Sequence, residues 1–125
     1  NMIRDFTYVG DIVESLKRLI FKPATINANF ETSKPDAATS FAKHRIFNIG
    51  NSNPVKLMDF IENIETSLGL KAIKKFMPMQ PGDVSATAAD TSSLENWIDF
   101  KPNTSVKSGV EKFIKWYKDY YQINL

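Results

Sequence analysis

Two kinds of apolar pattern alternate along the chain, and this alternation limits the folds open to it more than any other feature. Short runs rich in β-branched and aromatic residues predict strands at residues 3–9, 45–49 and 72–77. Apolar residues at helical spacing predict about four helices, near residues 11–21, 53–68, 90–98 and 106–121. Strands that alternate with helices favour an α/β arrangement.

Polar and special residues mark the expected helix ends. Asp11 is placed to cap the first helix, with Glu14 three residues on as in a capping box. Asn53 and Pro54 predict the start of the second helix, and Gly69 predicts its end. Asp90 or Thr91 is expected to cap the third helix. One apolar stripe is predicted for the last helix, formed by Val106, Val110, Phe113, Tyr117 and Tyr121.

Residues 22–44 lack a sustained period and contain two prolines, so the sequence predicts a long surface loop there. The 125 residues are 42% hydrophobic, which suits one domain, or a large piece of one, over residues 1–125. The formal charge is only +2 and the lysines are scattered, so neither a nucleic-acid nor a membrane footprint is expected. The lack of cysteine excludes disulfides and fits a reducing cytoplasm.

No self-sufficient active site is evident in the sequence. The five glycines lie far apart, so no glycine-rich loop can cradle the phosphates of a dinucleotide. His44 is the single histidine, for which a solvated or structural role is favoured, and no zinc centre is expected. No tyrosine is followed by a lysine four residues later. We therefore predict no catalytic, cofactor-binding or metal-binding residue in this chain.

Three segments in order carry a resemblance to a known family, and the similarity covers nearly the whole chain. They are residues 4–13 (RDFTYVGDIV), 47–52 (FNIGNS) and 79–90 (MQPGDVSATAAD). The chain resembles the C-terminal, substrate-binding part of extended short-chain dehydrogenase/reductase enzymes of the NAD-dependent epimerase/dehydratase family. Within that family it is most similar to the UDP-glucuronate 4-epimerase group. The expected fold is thus a small α/β substrate-binding subdomain without the Rossmann core.

The resemblance implies what a full-length parent would do. A Rossmann domain preceding this segment would hold NAD and the catalytic tyrosine and lysine, while this part closes over a UDP-sugar. The parent would be a cytoplasmic, homodimeric 4-epimerase of polysaccharide biosynthesis that works through a 4-keto intermediate, and the 125 residues alone would be inactive. A related decarboxylase, a 4,6-dehydratase or a non-catalytic binding module stay open as alternatives.

Six substrate-binding residues follow from matching family positions. Arg4 matches an arginine that contacts the nucleotide diphosphate, for which a planar guanidinium is suited, although a surface ion pair is the alternative. Phe6 and Leu57 match apolar positions near the nucleoside, where core packing explains them equally well.

The other three lie in the third segment. Asp83 matches an acidic position near the ribose, and holding the Pro-Gly turn is its alternative role. Gln80 stands where related epimerases have a second diphosphate-binding arginine, so any contact there would be uncharged. Small Thr87 leaves room for a substituted sugar. Departures at Gly10, Ser85 and Ala88 put the sugar specificity in question more than the family.

Overall fold

Four helices and one small antiparallel sheet make up the regular structure of residues 2–123, the part of the chain that the computed structural model describes. The elements in chain order are β1 (Ile3–Arg4), α1 (Val9–Ile20), β2 (Val55–Lys56), α2 (Leu57–Leu68), α3 (Ser92–Ile98) and α4 (Val106–Tyr121). The predicted α/β subdomain with about four helices is confirmed, although its strands contribute only two residues each.

The sheet gathers segments that are far apart in sequence. β1 and β2 pair antiparallel, with Ile3 opposite Lys56 and Arg4 opposite Val55. On its other side, Ile3 forms an isolated parallel bridge with Ala86. β1 is therefore the middle of three extended segments, and it fixes residues near position 86 next to the start of the chain.

The buried core is small and lies between the helices. Leu94, Ile98, Val110 and Ile114 are almost fully buried, and α2 packs against α4. Ser105 is the N-cap of α4, and its hydroxyl accepts a hydrogen bond from the Ser108 N–H at 3.2 Å.

The stripe predicted for α4 is only partly correct. Val110 is buried as expected, but Phe113, Tyr117 and Tyr121 remain 54%, 41% and 55% exposed. These rings pack on one another along the surface of the helix. They belong to a row of aromatic side chains along the surface of α4, here called the aromatic row, formed by Phe113, Trp116, Tyr117, Tyr120 and Tyr121.

Most of the strand predictions are wrong. The first strand ends at Arg4, and residues 72–77 form no strand. From 45–49, only Arg45 takes part in an isolated bridge, with Thr39. A strand exists only where a neighbour satisfies its backbone groups, and within residues 2–123 these segments face no such neighbour along their length. Ile73 and Phe76 in the last of these segments are exposed.

Two of the predicted helix starts are also wrong. α1 begins two residues before Asp11, with Tyr8 at its N-cap, and the Asp11 carboxylate bonds to Thr104 instead of to its own helix. Glu14 does not close a capping box, because it pairs with Arg18 at 2.8 Å. At α2 the chain first pairs as β2, so the helix starts at Leu57, three residues beyond the predicted first residue.

The other predicted helix ends are confirmed. Gly69 ends α2 in the left-handed conformation, with φ of 73°, which glycine adopts without steric cost. Thr91 is the N-cap of α3, and the Asp90 carboxylate accepts a hydrogen bond from the Ser92 N–H at 3.0 Å.

Between α1 and β2 the described chain forms turns and the Thr39–Arg45 bridge, without a helix. Trp97 of α3 anchors this region at both ends. Its indole N–H donates to the carbonyl of Lys22 at 2.9 Å, and the Arg45 guanidinium lies 4.2 Å above its ring centroid. None of the helices in residues 2–123 has the length and apolarity required to cross a bilayer.

Candidate substrate-binding site

The structure brings Arg4, Asp83 and Thr87 together around β1. The Arg4 Nη2 lies 2.7 Å from the Asp83 Oδ1, and the Arg4 Nη1 donates to the carbonyl of Ile3 at 2.9 Å. The Ile3 N–H donates to the Ser85 carbonyl at 2.9 Å, and the Thr87 N–H donates to the Ile3 carbonyl at 3.2 Å. The 79–89 segment is thus held against β1 by backbone bonds as well as by the Arg4–Asp83 pair.

This geometry leaves Arg4 able to bind an anion. A guanidinium carries five N–H donors, and the two bonds to Asp83 and Ile3 occupy two of them. The Arg4 side chain is 20% exposed and that of Asp83 is 37% exposed. An arginine oriented by a neighbouring carboxylate and still reached by solvent is suited to bidentate binding of a phosphate oxygen pair.

The turn before Asp83 has a fixed shape. The Asp83 N–H donates to the Gln80 carbonyl at 3.1 Å, and Gly82 has a φ of 87°, a conformation that strains other residues. The Asp83 Oδ1 also accepts from the Val84 N–H at 2.8 Å. Asp83 therefore both holds its turn and orients Arg4. Gln80 takes part through its backbone, and its side chain is exposed.

The two predicted apolar residues lie in different surroundings. Leu57, half-buried at the start of α2, donates its N–H to the Met2 carbonyl at 2.9 Å, next to β1. Phe6 stacks on Phe60, with ring centroids 4.0 Å apart. Phe6 also lines an apolar groove of about 410 Å³ between the start of α1 and helices α2 and α4, and neither Arg4 nor Asp83 lines that groove. Five of the six predicted residues thus lie along β1 and the segments beside it, and Phe6 faces the groove.

A network of polar side chains beside this cluster was missed by the sequence reasoning. The Asp5 carboxylate accepts hydrogen bonds from the backbone N–H groups of Ser52, at 3.0 Å, and of Asn53, at 3.3 Å. The Ser52 hydroxyl lies 2.6 Å from the buried Thr91 hydroxyl, which in turn donates to Glu95 at 2.6 Å. The network joins residues of the 4–13 and 47–52 segments to Thr91, the residue directly after the 79–90 segment.

Gly50 is the sequence signal that could have pointed to this network. A side chain at this position would place its Cβ 3.0 Å from the Asp5 Oδ2 and 3.1 Å from the Ala89 Cβ. The chain therefore approaches so closely here that only glycine fits without displacement.

A second polar anchor holds the segment that leads to the site. Glu65 of α2 is buried, and its carboxylate accepts hydrogen bonds from Lys71 at 3.0 Å, from Lys74 and from the Ala72 N–H at 3.0 Å. The hydrogen bonds from Lys74 and Lys71 lower the pKa of Glu65 to about 2. This anchor fixes residues 71–74, from which the chain runs on to Gln80 and Asp83.

The described residues do not fit a dinucleotide or a metal. The five glycines are dispersed and form no phosphate-cradling loop. Within residues 2–123 no three His, Cys, Asp or Glu side chains are placed to hold a metal ion. His44 is exposed.

The fold defines the class of protein. The crystal structure of UDP-glucuronic acid 4-epimerase from Bacillus cereus, in complex with UDP-glucuronic acid and NAD, has a TM-score of 0.69 to this chain at 26% identity. The match covers 96% of this chain and 33% of that enzyme. The chain therefore has the fold of a substrate-binding subdomain of the extended short-chain dehydrogenase/reductase enzymes.

Sequence comparison identifies a narrower group of relatives of this chain. Protein CapI of Staphylococcus aureus is 50% identical over 122 residues, which cover 98% of this chain and 36% of CapI. The probable UDP-glucuronate 4-epimerase of Rhizobium meliloti is 41% identical over 122 residues, with 97% and 36% coverage. No family model matches the chain. The chain is homologous to part of the UDP-glucuronate 4-epimerases and related NAD-dependent epimerases and dehydratases, and it spans about a third of the length of these relatives.

Proposed function

We propose that this chain is the UDP-sugar-binding part of a nucleotide-sugar 4-epimerase that acts on UDP-glucuronate. The observation that carries the proposal is the meeting of Arg4, Asp83 and Thr87 around β1, with the Arg4–Asp83 pair at 2.7 Å. Relatives that are named UDP-glucuronate 4-epimerases support the choice of substrate.

Each side chain has a role in this proposal. Arg4, oriented by Asp83, donates its remaining N–H groups to the diphosphate, and the exposed Asp83 Oδ2 accepts from a ribose hydroxyl. Leu57 provides apolar contact near the nucleoside, whereas Phe6, stacked on Phe60 in the separate groove, serves the packing of the subdomain. Gln80 adds an uncharged contact at the diphosphate, and the small side chain of Thr87 gives space to the sugar.

The residues of this chain would take no part in the redox step. The proposed reaction of the whole protein inverts C4 of the sugar through a 4-keto intermediate, and the NAD that the reaction requires does not fit the described residues. NAD would bind to a part of the protein outside this chain. A homodimeric, cytoplasmic parent in polysaccharide biosynthesis completes the proposal, and the absence of cysteine is compatible with that compartment.

The test is whether Arg4 distinguishes UDP from uridine. We expect Arg4→Ala to weaken UDP binding by about 5- to 150-fold, the equivalent of about 1–3 kcal/mol for a charged hydrogen bond. Uridine, which lacks the diphosphate, should bind the variant and the wild type alike. NMR titration of the chain measures both, even at millimolar affinity.

Arg18→Ala is the matched control. Arg18 also bonds a carboxylate and a carbonyl, those of Glu14 and Asp99, but it lies on α1 away from β1. It should leave UDP affinity unchanged. Equal losses in the two variants, or an Arg4→Ala chain that binds UDP as the wild type does, would contradict the proposed role of Arg4.

A further inference from the structure

Asp5 lies beside Arg4 in sequence, yet its side chain serves a different part of the structure. We propose that Asp5 is a positioning residue for the nucleotide-diphosphate site, because its carboxylate fixes the two segments that flank Arg4. This inference rests on the proposed function, since it concerns the orientation of the same arginine.

The Asp5 carboxylate clamps the turn before β2. Its two oxygens accept from the N–H groups of Ser52 and Asn53, at 3.0 and 3.3 Å. Ser52 has a φ of 53°, a left-handed conformation that is uncommon for a residue with a side chain. A half-buried carboxylate that accepts two backbone donors offsets the cost of this conformation and fixes the direction in which the chain enters β2.

The turn held by Asp5 leads into the strand on one side of Arg4. Val55 lies two residues beyond Asn53 and pairs with Arg4 in the sheet. The clamp therefore fixes the strand opposite the Arg4 backbone, and with it the point from which the guanidinium extends.

The same turn also contacts the segment on the other side of Arg4. The Ser52 hydroxyl lies 2.6 Å from the Thr91 hydroxyl and 3.3 Å from the Ala89 carbonyl. Because Thr91 donates its own proton to Glu95, the single Ser52 proton goes to Thr91. Ala89 lies two residues beyond Thr87, whose N–H bonds to Ile3. The turn held by Asp5 thus also holds the segment that carries Asp83 and Thr87, so one carboxylate sets the spacing between Arg4 and its partner.

A residue that only stabilises the fold would act differently from one that acts through Arg4. Loss of a purely stabilising residue lowers the fraction of folded chain and leaves the affinity of the folded chain for UDP unchanged. Loss of a positioning residue weakens UDP binding by the folded chain, and it does so only while Arg4 is present.

The experiment is a double-mutant cycle on UDP affinity, measured by NMR titration of the full chain under conditions in which each variant is folded. We expect Asp5→Asn to weaken UDP binding by about threefold or more, and the Asp5→Asn, Arg4→Ala double variant to bind within about twofold of Arg4→Ala alone. Losses that multiply independently would overturn the inference.

Asp36→Asn is the matched control, because Asp36 clamps a loop turn in the same way. Its carboxylate accepts from the Ala38 N–H and the Thr39 hydroxyl, each at 2.9 Å, and has no hydrogen bond to β1, β2 or the 79–89 segment among the described residues. It should leave UDP affinity unchanged. If Asp5→Asn does not fold, Ser52→Ala removes the link to Ala89 and Thr91 and should give a smaller loss with the same dependence on Arg4. Unchanged affinity in Ser52→Ala would overturn the inference in that case.

A second readout separates this inference from the proposed function. The Arg4 Nε–H signal in the NMR spectrum reports the surroundings of the guanidinium without any ligand. A signal shifted by Asp5→Asn but not by Asp36→Asn supports positioning even if Arg4→Ala shows that UDP is not the ligand. An unshifted signal, together with Arg4-dependent UDP binding that Asp5→Asn does not weaken, overturns the inference and leaves the proposed function standing.

Discussion

Replacing Asp11 with alanine should be among the most destabilising single changes outside the apolar core. Asp11 is only 9% exposed, and its carboxylate accepts from both the N–H and the hydroxyl of Thr104, at 2.9 and 2.8 Å. These bonds join α1 to the residues that lead into α4, over a separation of 93 positions.

The magnitude follows from the two bonds. A hydrogen bond to a charged group contributes about 1.5–3 kcal/mol, so two contribute about 3–6 kcal/mol. Thr104 is only partly buried, so water replaces part of the loss, and we expect a decrease of about 3–4 kcal/mol in the free energy of unfolding. Asp11→Asn keeps an acceptor oxygen and should lose clearly less than Asp11→Ala.

Asp59→Ala provides the control, since Asp59 is the third residue of α2 as Asp11 is the third residue of α1. Asp59 is exposed, so its carboxylate contributes only the favourable interaction with the helix N-terminus, about 0.3–1 kcal/mol. Urea unfolding followed by circular dichroism measures both variants. If they differ by less than about 1 kcal/mol, the two bonds to Thr104 are not the stabilising contacts that we infer.

Two further predictions concern the second anchor and catalysis. Lysine pairing lowers the pKa of Glu65 to about 2 from its usual 4.5, so its contribution to stability should be complete above about pH 4.5 and lost as the pH falls towards 2. The difference in urea midpoint between wild type and Glu65→Gln should shrink over that range, and a constant difference would argue against the pairing. Purified residues 1–125, incubated with NAD and UDP-glucuronate, should yield no 4-epimer by chromatography, and any turnover would show that the chain holds a complete active site.

The helices could be predicted from the sequence, while most strands could not. Apolar spacing is local information, and it identified all four helices, together with the stop at Gly69. A strand depends on a partner elsewhere in the chain. Residues 45–49 have the composition of a strand, but within the described structure only Arg45 takes part in a bridge, with Thr39.

The candidate site shows the same division. The resemblance selected Arg4 and Asp83, and their chemistry could be inferred from their residue types. They are 79 positions apart and meet because Ile3 forms a bridge with Ala86. No periodic pattern in the sequence predicts that bridge. The role of Asp11 was misassigned for a similar reason, because its partner Thr104 lies at the other end of the chain. The spacing of nearby residues favoured Asp11 as a helix cap, but its carboxylate binds the donors of Thr104 instead.

The aromatic row has a consequence for how the protein behaves in solution. A typical folded monomer of 14.2 kDa has a solvent-accessible surface of about 6,800 Å², whereas that of this chain is 9455 Å². Trp116 and Tyr120, 50% and 67% exposed, contribute to that excess. Any molecule that covers these rings removes them from water and, by mass action, shifts the unfolding equilibrium towards the folded state. The melting temperature of this protein should therefore rise with the concentration of any molecule that binds the aromatic row.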